Sequence, residues 1–302
     1  MTEYPHRLSA PAPMDVAATF HSHGWIQLAP HFWDDTAGEL TRPERLDDGT
    51  VAVLTVRSRG TVDQPAVAVT MAAPRNLSAA EQTVLLTRVG RILRLDLDLS
   101  GFYDICKQKG SPWTTWGIAK GRLLASPTVF EDVVKTICTT NIQWSGTRRL
   151  VANLVEHLGA PMDGRPELRA FPTPEAVAAS DVDFLRTTVR LGYRAPYVHR
   201  IAAEVAAGRL DLESLRDPSL DGGTVHDRLL SLPGVGPYAA ASMMMLLGHF
   251  ERLPVDSVFR EHVTRVHGKG KPLPDKNALA LYDAWGPWKA LAYWMEMWHC
   301  GE

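Results

Sequence analysis

The pattern of hydrophobic positions changes character near residue 100. Before it, two β-branched runs stand out, Thr50–Val56 behind the turn signal Asp47-Asp48-Gly49, and Pro65–Met71. They predict two strands joined through Arg57-Ser58-Arg59-Gly60. From Ala79 to Leu93, apolar residues at Val84, Leu85, Val89, Ile92 and Leu93 follow a helical period. Residues 1–100 are therefore expected to form an α+β domain, an antiparallel sheet with a helix. Residues 101–302 read as helix after helix, an all-α domain. Ser126-Pro127 predicts an N-cap followed by proline, and Val129, Phe130, Val133, Val134 and Ile137 make one stripe. Thr173-Pro174 starts a helix in the same way, and Ser180–Asp183 and Thr224–Asp227 match the capping-box spacing. Asp275 is expected to cap a helix through Trp285, and Gly286-Pro287 to open a last one ending near His299.

At 302 residues, with 45% hydrophobic and 22% charged, the chain can bury a core in about two domains. Cys106, Cys138 and Cys300 lie far apart, which excludes a disulfide framework, a cysteine-rich zinc site and a four-cysteine iron–sulfur cluster on one chain. No signal-peptide pattern or long apolar run occurs, so the expected location is cytoplasmic, with the nucleoid or a nucleus as the working compartment and no membrane partner. The net charge of −2 argues weakly against a nucleic-acid partner. Residues 1–100 carry 9 Lys and Arg against 12 Asp and Glu, whereas the remainder carries 23 against 22. Arg148, Arg149, Arg186, Arg190, Arg194 and Arg200 cluster in that second part. A basic binding face and an ordinary solvated surface fit this pattern equally.

The most informative stretch is Leu229-Leu230-Ser231-Leu232-Pro233-Gly234-Val235-Gly236-Pro237-Tyr238. Pro233 discourages the first helix from continuing, the two glycines permit a tight turn, and Pro237 starts a second helix. Two residues without Cβ at a helix N-terminus let backbone N–H groups approach a phosphate. A plain helical hairpin with no ligand fits the same residues.

Downstream the chain reads Leu253-Pro254-Val255-Asp256-Ser257-Val258-Phe259-Arg260. The glycine hairpin followed by Pro-Val-Asp resembles the helix–hairpin–helix (HhH-GPD) DNA glycosylase superfamily. Ile137-Cys138-Thr139-Thr140-Asn141, Leu158-Gly159 and Leu191-Gly192-Tyr193-Arg194-Ala195-Pro196-Tyr197 resemble its 8-oxoguanine branch. Phe171-Pro172-Thr173-Pro174-Glu175 and the ending from Trp285-Gly286-Pro287-Trp288 to Trp294 resemble its bacterial alkylpurine branch. The resemblance spans roughly residues 85–300.

This resemblance implies that Asp256 is the catalytic carboxylate, stabilising an oxocarbenium-like sugar or positioning water. Asp256 is equally suited to cap the helix that follows it. Bifunctional members carry a lysine two residues after the second glycine. Tyr238 stands there instead, with no lysine between Leu229 and Lys269. A tyrosine forms no Schiff base, so a monofunctional enzyme is expected, without AP-lyase activity. By the same resemblance, Asn141 plugs the stack left by a flipped base, Tyr193 wedges, Arg194 reads the orphaned base, and Gly234, Gly236 and Tyr238 meet DNA. For Asn141 a helix C-cap is the alternative, and for Arg194 an ordinary surface arginine. Gln143 and Trp144 differ from the branch pattern, leaving the partner-base preference open.

Carbonyls of Leu230, Leu232 and Val235 are expected to hold a structural monovalent cation, K+ or Na+, with no other cofactor required. Trp144, Trp285, Trp288 and Trp294 are candidates for an aromatic base pocket, with plain core packing as the alternative. Met243–Met245 read as adaptable core. His262, His267 and His299 lack metal-ligand spacing and read as surface or core. The expected partner is duplex DNA with a damaged base, bound by a monomer. Alkylated purines lead as substrate, ahead of oxidised purines, and a non-catalytic DNA-damage-binding protein is the competing class.

Overall fold

The computed structural model describes residues 1–300. Five strands form one antiparallel sheet in the order β1-β5-β4-β3-β2: β1 Thr2–Ser9, β2 Phe32–Asp34, β3 Glu39–Arg45, β4 Val51–Gly60 and β5 Pro65–Ala73. A two-residue strand, β6 Pro161–Met162, pairs with β7 Arg165–Arg169. The longer helices, in chain order, are α1 Ala79–Ile92, α2 Ser100–Lys109, α3 Val129–Thr139, α4 Trp144–Leu158, α5 Ala195–Ala206, α6 Gly222–Leu230, α7 Pro237–Leu247, α8 Ser257–Val266 and α9 Lys289–Cys300. None is long and apolar enough to cross a membrane. The mixed α+β class expected from the pattern is the class observed.

Two compact units emerge, and they do not follow one cut at residue 100. The first joins Met1–Asp96 to Arg122–Glu213; the second joins Leu97–Gly121 to the chain from Ser214 onward. Residues 122–213 go with the sheet because they cover it. Val51 and Val53 of β4 pack with Met162, Leu168 and Ala170 of the β6–β7 hairpin. That hairpin also means the second part of the chain is not purely helical. On the opposite face, Leu40, Val56 and Val69 stand in one row across three strands, and Arg42, Leu54 and Met71 in the next. All six are buried.

Helix α3 lies against that face, where an all-round burial replaces the single stripe expected for it. Every residue from Val129 to Cys138 is buried, including Glu131, Asp132 and Lys135. Arg42 grips Glu131 with two bonds, 3.0 Å to Oε1 and 2.6 Å to Oε2, and also pairs with Glu44. Lys135 reaches Glu131 at 2.7 Å, while Asp132 accepts from the Trp25 indole at 2.8 Å. Burial opposes ionisation of Glu131, but Arg42 and Lys135 outweigh it and hold the carboxyl at about 2. Burial also pushes His23 down to about 4, and its ring bonds the Leu124 carbonyl at 2.6 Å.

Acid therefore weakens this unit in two stages. His23 is neutral in the fold but protonates near 6.5 when unfolded, so stability falls between pH 6.5 and about 4. Below 4.5, the unfolded value of Glu131, its share falls away as the pH approaches about 2. Denaturation midpoints measured from pH 8 to 3 should decline from about pH 6.5 downward; a flat profile to pH 4.5 contradicts the His23 contribution.

Several local expectations are corrected. Arg57–Gly60 belongs to β4, and the turn to β5 is Thr61–Gln64, closed by bonds of 3.3 and 3.2 Å. Thr128, not Ser126, caps α3. Asp181 and Asp221, not Ser180 and Thr224, cap their helices. Asp181 lies one residue after Ser180 and Asp221 three before Thr224; in both helices a carboxylate takes the free N–H groups, the role the hydroxyl was expected to play. Asp275 is the first residue of a short helix that stops at Ala280, and Asp283–Trp288 is a separate 3-10 turn.

Candidate functional site

The glycine hairpin forms as its sequence dictates. Helix α6 is capped by Asp221 and ends at Leu230; α7 starts at Pro237 with Gly236 as its N-cap. Gly234 adopts φ 80°, a left-handed conformation that favours glycine. Gly236 is different: its φ of −95° suits any residue, and a Cβ there meets nothing within 4 Å among the described residues. The fold itself does not need glycine at this helix N-terminus. Val235 N–H closes the turn onto the Leu232 carbonyl at 3.1 Å. Leu232 and Val235 are buried, while Leu230 is partly exposed. Carbonyl oxygens of Leu230, Leu232 and Val235 are neutral donors of the type a monovalent cation takes.

Asp256 is the N-cap of α8, accepting the Phe259 N–H at 2.8 Å. It is half-buried, and burial raises its pKa above the ordinary carboxylate value despite N–H donors from Phe259 and Val258. Capping and a perturbed carboxylate thus coexist in one side chain. Tyr293 on α9 was not singled out from the sequence. Burial, and then the charge of Asp256 together with Tyr238, pushes its phenol above the usual range. Tyr293 stacks edge-on to Phe259 at 5.1 Å and so lies against α8. Tyr238, in the first turn of α7, is half-buried. A cavity of about 320 Å³ opens here, lined by His226, Pro237, Ala241, Leu253, Val255 and Lys289 among others.

The tryptophans do not form one open pocket. Trp285 is 4% exposed, with Trp113 at 4.3 Å, Phe102 at 5.6 Å and the Lys109 ammonium 4.7 Å from its ring centroid. Its faces are filled, which makes it core. Trp288 stacks on Phe250 at 5.7 Å and lies against Gly101. Trp294 is half-buried beside Tyr293. Trp144 belongs to the first unit, where its indole donates to Gln27 at 2.8 Å. None of the four lines the cavity.

The first unit brings the remaining candidates together at the end of α3. Asn141 has φ 49° and donates through Nδ2 to the Tyr193 hydroxyl at 3.1 Å; Tyr193 is 51% exposed. Arg194 is neither a surface arginine nor a free reader. It is buried, donates to the Ile137 carbonyl at 3.2 Å and to the Thr140 carbonyl, and lies 4.5 Å from the Tyr193 ring centroid. The guanidinium thus fastens the last turn of α3 through two of its carbonyls and presents Asn141 with Tyr193.

A family model described as HhH-GPD superfamily base excision DNA repair protein matches residues 134–287. "Putative DNA-3-methyladenine glycosylase YfjP" of Bacillus subtilis is 22% identical over 261 residues, 86% of this chain and 87% of the relative. The structure of a 3-methyladenine DNA-glycosylase from Archaeoglobus fulgidus superposes with a TM-score of 0.73 at 19% identity, covering 97% of this chain and 98% of the other. An 8-oxoguanine glycosylase/lyase from Clostridium acetobutylicum, in its apo-form, gives 0.66 at 17% identity, with 98% and 97% covered.

Proposed function

Since this chain belongs to the HhH-GPD superfamily of base excision DNA repair proteins, we propose that it is a monofunctional DNA glycosylase. It hydrolyses the N-glycosidic bond of a damaged base, an alkylated purine before an oxidised one, and leaves an intact abasic site. The observation that carries this reading is Asp256, a half-buried carboxylate of raised pKa downstream of a hairpin whose Gly236 is bare without internal cause.

Chemistry at C1′ requires the nucleotide to leave the duplex, at a cost of a few kcal/mol. Asn141 and Tyr193 supply the exposed polar tip and ring that fill such a gap, on a turn fixed by Arg194. Gly234 and Gly236 offer N–H groups to a backbone phosphate at the positive end of α7. A K+ or Na+ ion held by the Leu230, Leu232 and Val235 carbonyls would add positive charge on the same side. Asp256 is ionised above its raised pKa, and its charge stabilises the cationic sugar as the base departs. The rate should rise with pH through that pKa, higher than for an ordinary carboxylate. The alkylated-purine preference rests on Tyr238 in the lysine position and on the names of the relatives.

Two experiments test this. Incubation with a lesion duplex should break the strand only after alkali, and borohydride should trap no covalent complex, because Tyr238 forms no imine. Breaks without alkali overturn the monofunctional assignment. Gly236→Ala should cost about 1 kcal/mol or less, as an N-cap change, yet weaken DNA binding measured by anisotropy. Wild-type affinity in that variant removes the hairpin from DNA contact.

A further inference from the structure

Apart from Asp256, the second unit gathers a second set of ionisable groups. His262 and His267 come from α8 and its C-terminal end, and Glu296 from α9. Their ligand atoms, one from each residue, all lie within 4.8 Å of one another. The two His Nε2 atoms sit 3.1 and 2.8 Å from Glu296 Oε2, and the Tyr282 hydroxyl reaches the same oxygen at 2.6 Å. Three polar groups thus converge on one carboxylate oxygen. His262 is buried, and among the described residues its Nδ1 has no partner, so its Nε2, the atom aimed at the centre, alone tethers the ring by hydrogen bonding.

We propose that His262, His267 and Glu296 form a binding site for a transition-metal dication of the zinc class. Two imidazoles and one carboxylate are a donor set that Zn2+ takes. With bonds of about 2.0–2.1 Å, a tetrahedral ion holds its ligands about 3.3 Å apart. The Glu296–histidine separations of 3.1 and 2.8 Å are hydrogen-bond distances that open by a few tenths of an ångström to seat the ion, and the two histidine nitrogens lie within 4.8 Å of each other. His267 is the least buried of the three, with a side chain 27% exposed, and gives an entry path. Cys300 stands one turn beyond Glu296 on α9. Water or that thiolate completes the coordination. The ion ties α8, which Asp256 caps, to α9. Its role is structural and independent of the base-excision chemistry.

The test is calorimetric titration of chelator-stripped protein with Zn2+, alongside thermal melts. One equivalent bound at micromolar affinity or tighter, with a raised Tm, is expected for the wild type. His267→Gln leaves Glu296 bonded to His262 and Tyr282 and should keep its circular dichroism while losing both uptake and Tm rise. Co2+ should give a tetrahedral visible spectrum in the wild type alone, with an added thiolate charge-transfer band if Cys300 ligates. No stoichiometric uptake by the wild type, or unchanged uptake by His267→Gln, overturns the site and leaves a purely hydrogen-bonded tie.

Discussion

Asp256→Asn is expected to lower single-turnover base release by about 10³-fold, with folding and DNA affinity close to wild type. The two roles of Asp256 separate cleanly in this variant. As an N-cap, asparagine is about as good as aspartate, and its Oδ1 still accepts the Phe259 N–H that Asp256 accepts at 2.8 Å. As an electrostatic stabiliser it fails, because a neutral amide gives the cationic sugar no countercharge. Asp256→Ala should lose the same activity and an additional ~1 kcal/mol of stability from the missing cap. Activity of Asp256→Asn within about tenfold of wild type would falsify the catalytic assignment and leave only the cap.

The second large effect concerns stability. Glu131→Gln removes the carboxylate that Arg42 and Lys135 share, and all three are buried. Lys135 loses its carboxylate and Arg42 keeps only the Glu44 carboxylate; breaking a buried ion pair costs about 3–5 kcal/mol, a large part of the 5–15 kcal/mol typical of a folded domain. Urea denaturation at pH 7 should register this loss. Replacing Arg42, Glu131 and Lys135 together by Met, Leu and Met should restore much of it, because apolar packing often matches a buried ion pair. A loss below about 1 kcal/mol in Glu131→Gln contradicts the network as described. The cost reaches function through position, since α3 ends in the turn that carries Asn141.

How much of this was legible in the sequence varies by residue. The hairpin was readable because its instructions are local: Pro233 and Pro237 bound a turn in which Gly234 takes a positive φ. Asp256 was readable as both cap and candidate carboxylate, and it is an N-cap of raised pKa. Strands β1 and β3 were missed because Pro5 and Pro43 argue against a ladder. Pro5 lies on an edge strand, and β2 pairs only with Glu39–Thr41, so Pro43 has no outer neighbour to bond. Burial of the charged positions of α3 has no local signal in the sequence, since the partner of Glu131 is Arg42, distant along the chain. For Trp285 the sequence leaves pocket and core open, and its burial against Trp113, Phe102 and Lys109 decides for core. His262, His267 and Glu296 have no motif spacing; only the packing of α9 against α8 unites them.

The most direct measurement is base release from duplexes bearing one lesion each: a stable 3-methyladenine analogue, 7-methylguanine, 1,N6-ethenoadenine, hypoxanthine, 8-oxoguanine or uracil. Free base should appear from an alkylated purine with wild-type protein, and the abasic strand should stay intact until alkali is added. Release of 8-oxoguanine alone would contradict the alkylated-purine assignment. Binding to these duplexes with no base released from any of them would contradict the enzyme itself.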